Sequence, residues 1–251
     1  MGEALVGGLV ESRRTGAGDV RIVEVDAERR GVLAQRFPGT EITDEPGPAD
    51  GSIIATKPQH AVEVAGRLAA VGGGRLLSIA AGVTIAALEA SAGPGTVVIR
   101  AMPNTPALVG VGAAAIAGGT LATGADLAWA EDLLGSVGLA LRVSESALDA
   151  VTGLSGSGPA YVFLIAEAMC DAGVAQGLPR DVAARLTNQT LLGAATLLAG
   201  GEEPAALRAA VTSPGGTTAA GLGALEHAAV RAAFLDAVEA ATLRSRELSA
   251  S

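Results

Sequence analysis

The pattern of the sequence changes near residue 143. Before that point, short apolar runs such as 52–56 and 96–101 alternate with segments whose apolar residues recur at helical spacing. Strands that alternate with helices predict a parallel sheet covered by helices on both faces. After residue 143 the spacing predicts helices only. We therefore expect an α/β domain over residues 1–143 and an all-α domain over residues 144–251. The two should pack tightly, because no Pro/Gly/Ser-rich linker separates them.

The overall composition excludes several classes of protein. Hydrophobic residues make up 49% of the 251 residues and charged residues 17%, so intrinsic disorder is not expected. The formal net charge of −9 argues against nucleic acids and anionic membrane surfaces as partners. The uncharged window 105–125 has the length of a membrane span, but its proline and glycines favour a strand and turns. No basic segment followed by an apolar run opens the chain, so we expect a cytoplasmic protein.

The sequence offers few metal ligands. Cys170 is the only cysteine, and His60 and His227 are the only histidines, far apart in the chain. None of them stands in a metal-ligand spacing, so we expect no metal site. Cys170 is interpreted as a small core residue of a helix.

One predicted helix of the second domain is apolar all round. Residues 162–166 are consecutive apolar residues within a helix predicted over 158–175. Such a helix must be buried on every side, and a domain of this size has limited room to bury it. We therefore expect a second copy of the chain to cover it.

The stretch 211–218 concentrates polar and flexible residues between two predicted helices. It contains Ser213, two adjacent glycines, and Thr217 and Thr218. If a threonine opens the next helix, amides and hydroxyls converge where an anion is favoured. On spacing alone, the simpler interpretation is favoured, namely that Pro-Gly-Gly ends one helix before the next begins.

Four stretches of the sequence resemble motifs of one enzyme family and occur in that family's order. They are ATKP at 55–58, RAMPNTPALVGVG at 100–112, VTGLSGSGPAYVF at 151–163 and PAALRAAVTSPGGTTAAGLGALE at 204–226. All four are similar to motifs of the pyrroline-5-carboxylate reductases, which reduce the C=N bond of 1-pyrroline-5-carboxylate to give L-proline. The resemblance implies a Rossmann-like N-terminal domain that uses NADPH or NADH. It also implies a helical dimerisation domain, interlocked between subunits of a homodimer or larger homo-oligomer.

The resemblance also implies the residues of the active site. The substrate carboxylate would be bound by Ser213, Gly215, Gly216 and Thr217, and Thr218 would stand beside the imine nitrogen and the nicotinamide. The carboxyl ends of the strands would hold the cofactor, as they do in α/β sheets generally. An alternative for Lys57 is a strand-ending lysine that points to water. The cofactor-binding candidates are Gly2, Glu24, Asp26, Ala55, Thr56, Lys57, Pro58, Ala80, Ala81, Met102, Pro103 and Asn104.

The cofactor preference stays open at this point. An acidic residue that closes the second strand of such a domain accepts the ribose 2′-hydroxyl of NAD and repels a 2′-phosphate, and Glu24 and Asp26 fit that description. Arg29 and Arg30 lie just beyond and could hold a phosphate instead.

Two other functions are open as well. One is a related two-domain dehydrogenase acting on β-hydroxyacids, but such enzymes commonly use a catalytic lysine in the helical domain, and residues 143–251 contain none. The other is a non-catalytic dimeric nucleotide-binding protein, which only the unusual N-terminus favours.

The N-terminus departs from the family pattern. Members open with an apolar strand and a G-x-G-x-x-G loop, whereas this sequence begins Met1-Gly2-Glu3-Ala4-Leu5, and only Gly2 matches the third glycine. We expect the native chain to start roughly 10 residues earlier, the length of one strand and the loop. The chain as written should then bind NAD(P)H weakly.

Overall fold

The structure is a computed structural model that describes residues 1–12 and 15–250. Contacts divide the chain into two compact units, Met1–Ser157 together with the residues from Ala240 onward, and Gly158–Glu239. The first unit extends past residue 143 because the segment that follows packs onto its sheet, where Leu148 is fully buried. The predicted domain boundary at residue 143 stays a prediction.

The strands of the first unit form two sheets. One is a parallel pair and the other has five strands in the order β3-β4-β5-β6-β7. Within the described residues, no strand joins the two sheets, and the expected earlier start of the chain stays a prediction. The strands are β1 (Arg21–Val23), β2 (Glu41–Thr43), β3 (Gly51–Ile54), β4 (Arg75–Ser78), β5 (Val98–Pro103), β6 (Gly112–Gly118) and β7 (Gly138–Arg142).

The five-stranded sheet is parallel except at one position. Strands β3, β4 and β5 are parallel to one another, and β6 is parallel to β7, but β5 and β6 are antiparallel. Only a short 3₁₀ segment, Thr105–Val109, connects β5 to β6. A parallel return needs a crossover of roughly a dozen residues or more, so this connection permits only an antiparallel strand. The uncharged window 105–125 is therefore a strand with turns, as predicted.

Helices cover both faces of this sheet. Side chains alternate along each strand, so Leu76 and Val98 face one core cluster while Leu77 and Ile99 face another. Residues of α3, α4 and α6 complete the first cluster, and residues of α1 and α5 complete the second. The predicted α/β arrangement is confirmed. The helices are α1 (Gly2–Glu11), α2 (Ala27–Arg36), α3 (Pro58–Ala70), α4 (Ile85–Ala92), α5 (Gly124–Leu134) and α6 (Leu148–Val151), and a π-helical turn, Thr152–Gly156, follows.

The second unit is built from helices, as the sequence predicts, but it buries almost none of its side chains. Among its described residues only Ala183 and Thr187 are buried. Its helices are α7 (Gly158–Ala175), α8 (Arg180–Ala199), α9 (Pro204–Ala210), α10 (Thr217–His227) and α11 (Val230–Ala250), the last of which ends in the first unit. The exposed large apolar side chains include Phe163, Leu164, Leu186, Leu192, Leu197 and Leu235.

One helical stretch in the described residues, Glu145–Ala175, is long and apolar enough to cross a membrane by length and composition. A helix that a second subunit covers has the same composition. We therefore expect a second copy of the chain to cover the exposed apolar side chains of the second unit.

Candidate active site

The turn that precedes α10 contains two adjacent glycines, and its geometry favours glycine at both positions. Gly215 has φ 71°, a left-handed conformation that L side chains rarely adopt. At Gly216, a Cβ atom would lie 2.5 Å from the Ser213 hydroxyl oxygen. The Gly216 N–H donates to the Ser213 carbonyl at 3.1 Å, which closes the turn. The predicted turn between two helices is confirmed.

The N-terminus of α10 is open to an anion. Gly216 is the N-cap residue, and no side chain caps the helix. The first backbone N–H to bond back is that of Ala220, which donates to Gly216. By helical geometry, the N–H groups of Thr217, Thr218 and Ala219 have no intrahelical acceptor, and the helix dipole adds positive potential there. Because Thr217 and Thr218 are exposed, a carboxylate can reach both the amides and the hydroxyls.

The cofactor candidates of the first unit end neighbouring strands. Ala55 to Pro58 follow β3 and are exposed, Ala80 and Ala81 follow β4, and Met102 and Pro103 end β5. Because β3, β4 and β5 are parallel, these segments lie at one edge of the sheet. Lys57 is the N-cap residue of α3, and Pro58 occupies its first turn. The exposed backbone and lysine are thus brought together where α/β sheets bind ligands.

The start of α1 lies close to the end of β3 and carries no side-chain cap. A Cβ atom on Gly2 would lie 3.2 Å from the Ala55 Cβ, so glycine permits a close approach of α1 to the end of β3. No side chain caps α1, which leaves the amides of its first turn without side-chain partners. An uncapped helix N-terminus beside a glycine is the arrangement that receives phosphate groups in this fold.

The two acidic candidates, Glu24 and Asp26, have different roles in the loop after β1. Asp26 is the N-cap of α2 and accepts a hydrogen bond from the Arg29 N–H at 2.8 Å. The N–H of Asp26 in turn donates to a Glu24 carboxylate oxygen at 3.1 Å. Glu24 is therefore held at the end of β1, while the Asp26 side chain is committed to the helix.

The side chain of Asn104 is used inside the protein. Its amide nitrogen donates to the Ser155 carbonyl at 3.0 Å, and its oxygen accepts from the Ala113 N–H at 2.8 Å. The side chain, buried apart from 9% of its surface, ties the ends of β5 and β6 to the π-helical turn. In the same turn, a Cβ atom on Gly156 would lie 2.7 Å from the Met102 Cε. A contact between Asn104 and the cofactor stays a prediction, and the observed contacts are structural.

Sequence reasoning missed one ion pair near this edge of the sheet. Arg100, in β5, is buried and pairs with Glu145 at 3.1 Å. The same Glu145 oxygen accepts the Ile85 N–H at the start of α4, at 2.7 Å. A charged residue inside the apolar run TVVIRA was the available signal, because a buried charge requires a partner. The pair fixes the segment after β7 against the strands that carry the cofactor candidates.

Comparison with known proteins gives a consistent result. The sequence profile described as pyrroline-5-carboxylate reductase dimerisation matches residues 145–248. The chain is 41% identical over 257 residues to pyrroline-5-carboxylate reductase of Corynebacterium melassecola, covering 99% of this chain and 95% of that protein.

Solved structures agree with this comparison. A pyrroline-5-carboxylate reductase from Coxiella burnetii superposes with a TM-score of 0.91 and 32% identity, covering 99% of this chain and 94% of that one. The Plasmodium falciparum pyrroline carboxylate reductase, solved with NADP bound, superposes with a TM-score of 0.82 and 28% identity over the same shares. With relatives this similar over nearly its whole length, the chain belongs to the pyrroline-5-carboxylate reductase family.

Proposed function

We propose that the protein reduces the C=N bond of 1-pyrroline-5-carboxylate to give L-proline, with NADPH or NADH as the hydride donor. The observation that carries the proposal is the turn before α10, where two glycines and the hydroxyls of Ser213, Thr217 and Thr218 surround an uncapped helix N-terminus. The chain also belongs to a family whose relatives are named for this activity.

The substrate carboxylate is assigned to this turn. Its negative charge is favoured by the N–H groups at the start of α10, and the hydroxyls of Ser213 and Thr217 add donors. The hydroxyl of Thr218 is assigned to the imine nitrogen, where it orients the ring. A threonine hydroxyl is too weak an acid to be the obvious proton source, so an already protonated iminium or a water relay completes the proton balance.

The cofactor is assigned to the first unit. The pyrophosphate is placed on the amides at the start of α1, with Gly2 allowing close approach to Ala55. Lys57 supplies positive charge, and Ala80, Ala81, Met102 and Pro103 line the nicotinamide end. When bound, NAD(P)H supplies the hydride, and the residues named here bind and orient it.

The active form is assigned as a homodimer or a larger homo-oligomer built from dimers. The matched dimerisation profile and the exposed apolar side chains of the second unit both support this assignment. The proposal places the protein in the cytoplasm, with a small-molecule substrate and without nucleic acid or membrane partners.

The test is the loss of NAD(P)H absorbance with 1-pyrroline-5-carboxylate as substrate, with proline identified as the product. The proposal predicts substrate-dependent oxidation that stops when the substrate is omitted. A parallel assay of β-hydroxyacid oxidation tests the alternative dehydrogenase function. This alternative is disfavoured because residues 143–251 of the chain contain no lysine. Activity only with the β-hydroxyacid, or cofactor binding without turnover of either compound, would replace the proposed function by one of the alternatives.

A further inference from the structure

We propose that this enzyme prefers NADH to NADPH, and that Glu24 determines the preference. The inference rests on the proposed function, because it concerns the adenosine end of the same cofactor site. NADH and NADPH differ only at the ribose 2′ position, where NADPH carries a phosphate. The loop after β1, residues 24–26, is where a domain of this fold meets that position.

Glu24 is placed to accept the ribose hydroxyls. It directly follows β1 and is half-buried, and one of its carboxylate oxygens is held by the Asp26 N–H at 3.1 Å. Within the described residues, the other oxygen has no hydrogen-bond partner. A carboxylate fixed through one oxygen can accept from a 2′-hydroxyl through the other, but it repels a 2′-phosphate.

The other side chains of the loop provide no favourable contact for a 2′-phosphate. Val25 lies between the two acids with 75% of its surface exposed, and it has neither charge nor a side-chain donor. Asp26 adds a second carboxylate, which caps α2 by accepting from the Arg29 N–H. A 2′-phosphate would therefore meet two negative side chains and one apolar side chain.

The nearby arginines, Arg29 and Arg30, already have hydrogen-bond or ion-pair partners within the protein. Arg30 donates to the backbone carbonyls of Glu24 and Val25 at 2.9 and 3.0 Å, and its other nitrogen lies 3.8 Å from an Asp44 carboxylate oxygen. Arg29 forms an ion pair with Glu3 in the first turn of α1.

Glu3 is shared between two cations. It also pairs with Arg36, at 2.6 Å. Neither Arg29 nor Arg30 is thus an uncompensated cation that could take the phosphate without losing an internal partner. The alternative that the sequence left open, an arginine-bound phosphate, is the weaker one in this geometry.

The test is the ratio of kcat/KM for NADH to kcat/KM for NADPH at fixed 1-pyrroline-5-carboxylate. The pyrophosphate and nicotinamide are common to both cofactors, so the ratio isolates the 2′ position. We expect about a 10-fold or larger preference for NADH, since a like charge about 4 Å from the phosphate at a partly buried site costs at least that much. The double substitution Glu24→Ser with Val25→Arg removes the repulsion, adds a phosphate donor, and should reverse the ratio.

A matched control separates this local effect from net charge. Glu28→Ser removes one exposed carboxylate from the first turn of α2, outside the 24–26 loop, and should leave the ratio unchanged. Equal or better use of NADPH by the native enzyme would overturn the inference, as would a ratio that the double substitution does not move. Dissociation constants for NADH and NADPH, from nicotinamide fluorescence, give the same preference without turnover. If they favour NADH while neither cofactor supports reduction, the proposed function fails and this inference stands.

Discussion

The hydroxyl of Thr218 is the residue-level feature on which the proposed chemistry depends most directly. Thr218→Val keeps the shape of the side chain and removes the hydroxyl. We expect kcat/KM to fall by about 10- to 1000-fold, a typical loss for one positioned donor, with little change in cofactor affinity. Steady-state kinetics and NADH titration measure the two quantities.

Thr212 provides the matched control for this substitution. Its hydroxyl donates to the Arg208 carbonyl at 2.6 Å. Thr212 therefore lies outside the first turn of α10, where Thr218 is located. Thr212→Val therefore makes the same chemical change beside the site and should leave kcat/KM nearly native. Native turnover in Thr218→Val would remove the Thr218 hydroxyl from the mechanism.

Asn104 gives a prediction about stability that depends on pH. Asn104→Asp keeps an acceptor for the Ala113 N–H but places a carboxylate oxygen against the Ser155 carbonyl. At neutral pH we expect a loss of about 1–3 kcal/mol in the free energy of unfolding. When the introduced carboxyl is protonated, its O–H can donate to Ser155 as the native amide does.

The sign of this pH dependence follows from linkage. Burial and the facing carbonyl raise the pKa of the introduced carboxyl in the folded state, so the folded state binds the proton more tightly than the unfolded state. The deficit relative to the native protein should therefore shrink as the pH falls through the folded-state pKa toward the ordinary Asp value, that is, from about pH 6 to about pH 4. Asn104→Ala, which has no titrating group, should show a constant deficit. Parallel pH profiles for the two variants would contradict the assigned hydrogen bond.

At the level of elements, helix α5 begins with a capping box. The Thr123 hydroxyl caps the Asp126 N–H, and the Asp126 carboxylate accepts from the Thr123 N–H and hydroxyl. These bonds, the hydroxyl first, lower the pKa of Asp126, and Arg75 adds to the effect. A lowered folded-state pKa means that the stabilisation is present above the ordinary pKa and is lost as the pH falls through the folded-state value.

The prediction is that Asp126→Asn lowers the free energy of unfolding by about 1 kcal/mol near neutral pH. The difference from the native protein should begin to shrink as the pH falls below about 4 and should disappear below the lowered folded-state pKa of Asp126, where the native carboxylate is also protonated. Asp181→Asn, in the first turn of α8 and with no cap hydrogen bond, controls for the general effect of charge near a helix start. If the stability difference between Asp126→Asn and the native protein persisted unchanged in acid, it would come from the changed shape of the side chain and not from the carboxylate charge.

Helix α5 is one of the elements that the sequence analysis did not predict, and a comparison with the predicted elements shows why. The long helix α7 and compact apolar runs such as those of β3 and β5 were predicted because their signal is local. Helix α5 was missed although Thr123 and Asp126 have the spacing of a capping box. Strand β2 has three residues and little pattern, and β7 lies immediately before the change of pattern near residue 143.

The candidate site follows the same distinction. The turn at Ser213 to Thr218 could be predicted because its glycines and hydroxyls are adjacent in the chain. The contacts of Asn104 could not, because Ala113 and Ser155 come together with it only after β5, β6 and the π-helical turn are in place. The pairing of Arg100 with Glu145 depends on the same long-range packing.

For the whole molecule, the second unit predicts an obligate dimer. Phe163 and Leu164 are 62% and 65% exposed in the single chain, and few side chains of this unit are buried. A unit without its own core is stable only when a partner covers it. Light scattering on dilute protein should therefore show no folded monomer.

A substitution tests the dimer more sharply. Phe163→Glu places a charge on the apolar surface and should cause dissociation together with unfolding or aggregation. Val32→Glu, on a half-exposed position of α2 in the first unit, is the matched control and should stay a dimer. A stable, active monomer of either the native protein or Phe163→Glu would contradict the prediction.

The separation of β1 and β2 from the five-stranded sheet has a consequence for amide hydrogen exchange. In the chain as given, no ladder among the described residues joins these two three-residue strands to the main sheet. The pair therefore opens at a low free-energy cost, and its amides should exchange sooner than those of β4 and β5. Because Glu24 continues from β1, a cofactor held by Glu24 would bind the paired form of β1 and β2 and stabilise it. Saturation with NADH should then slow exchange in β1 and β2 far more than in the sheet beside them.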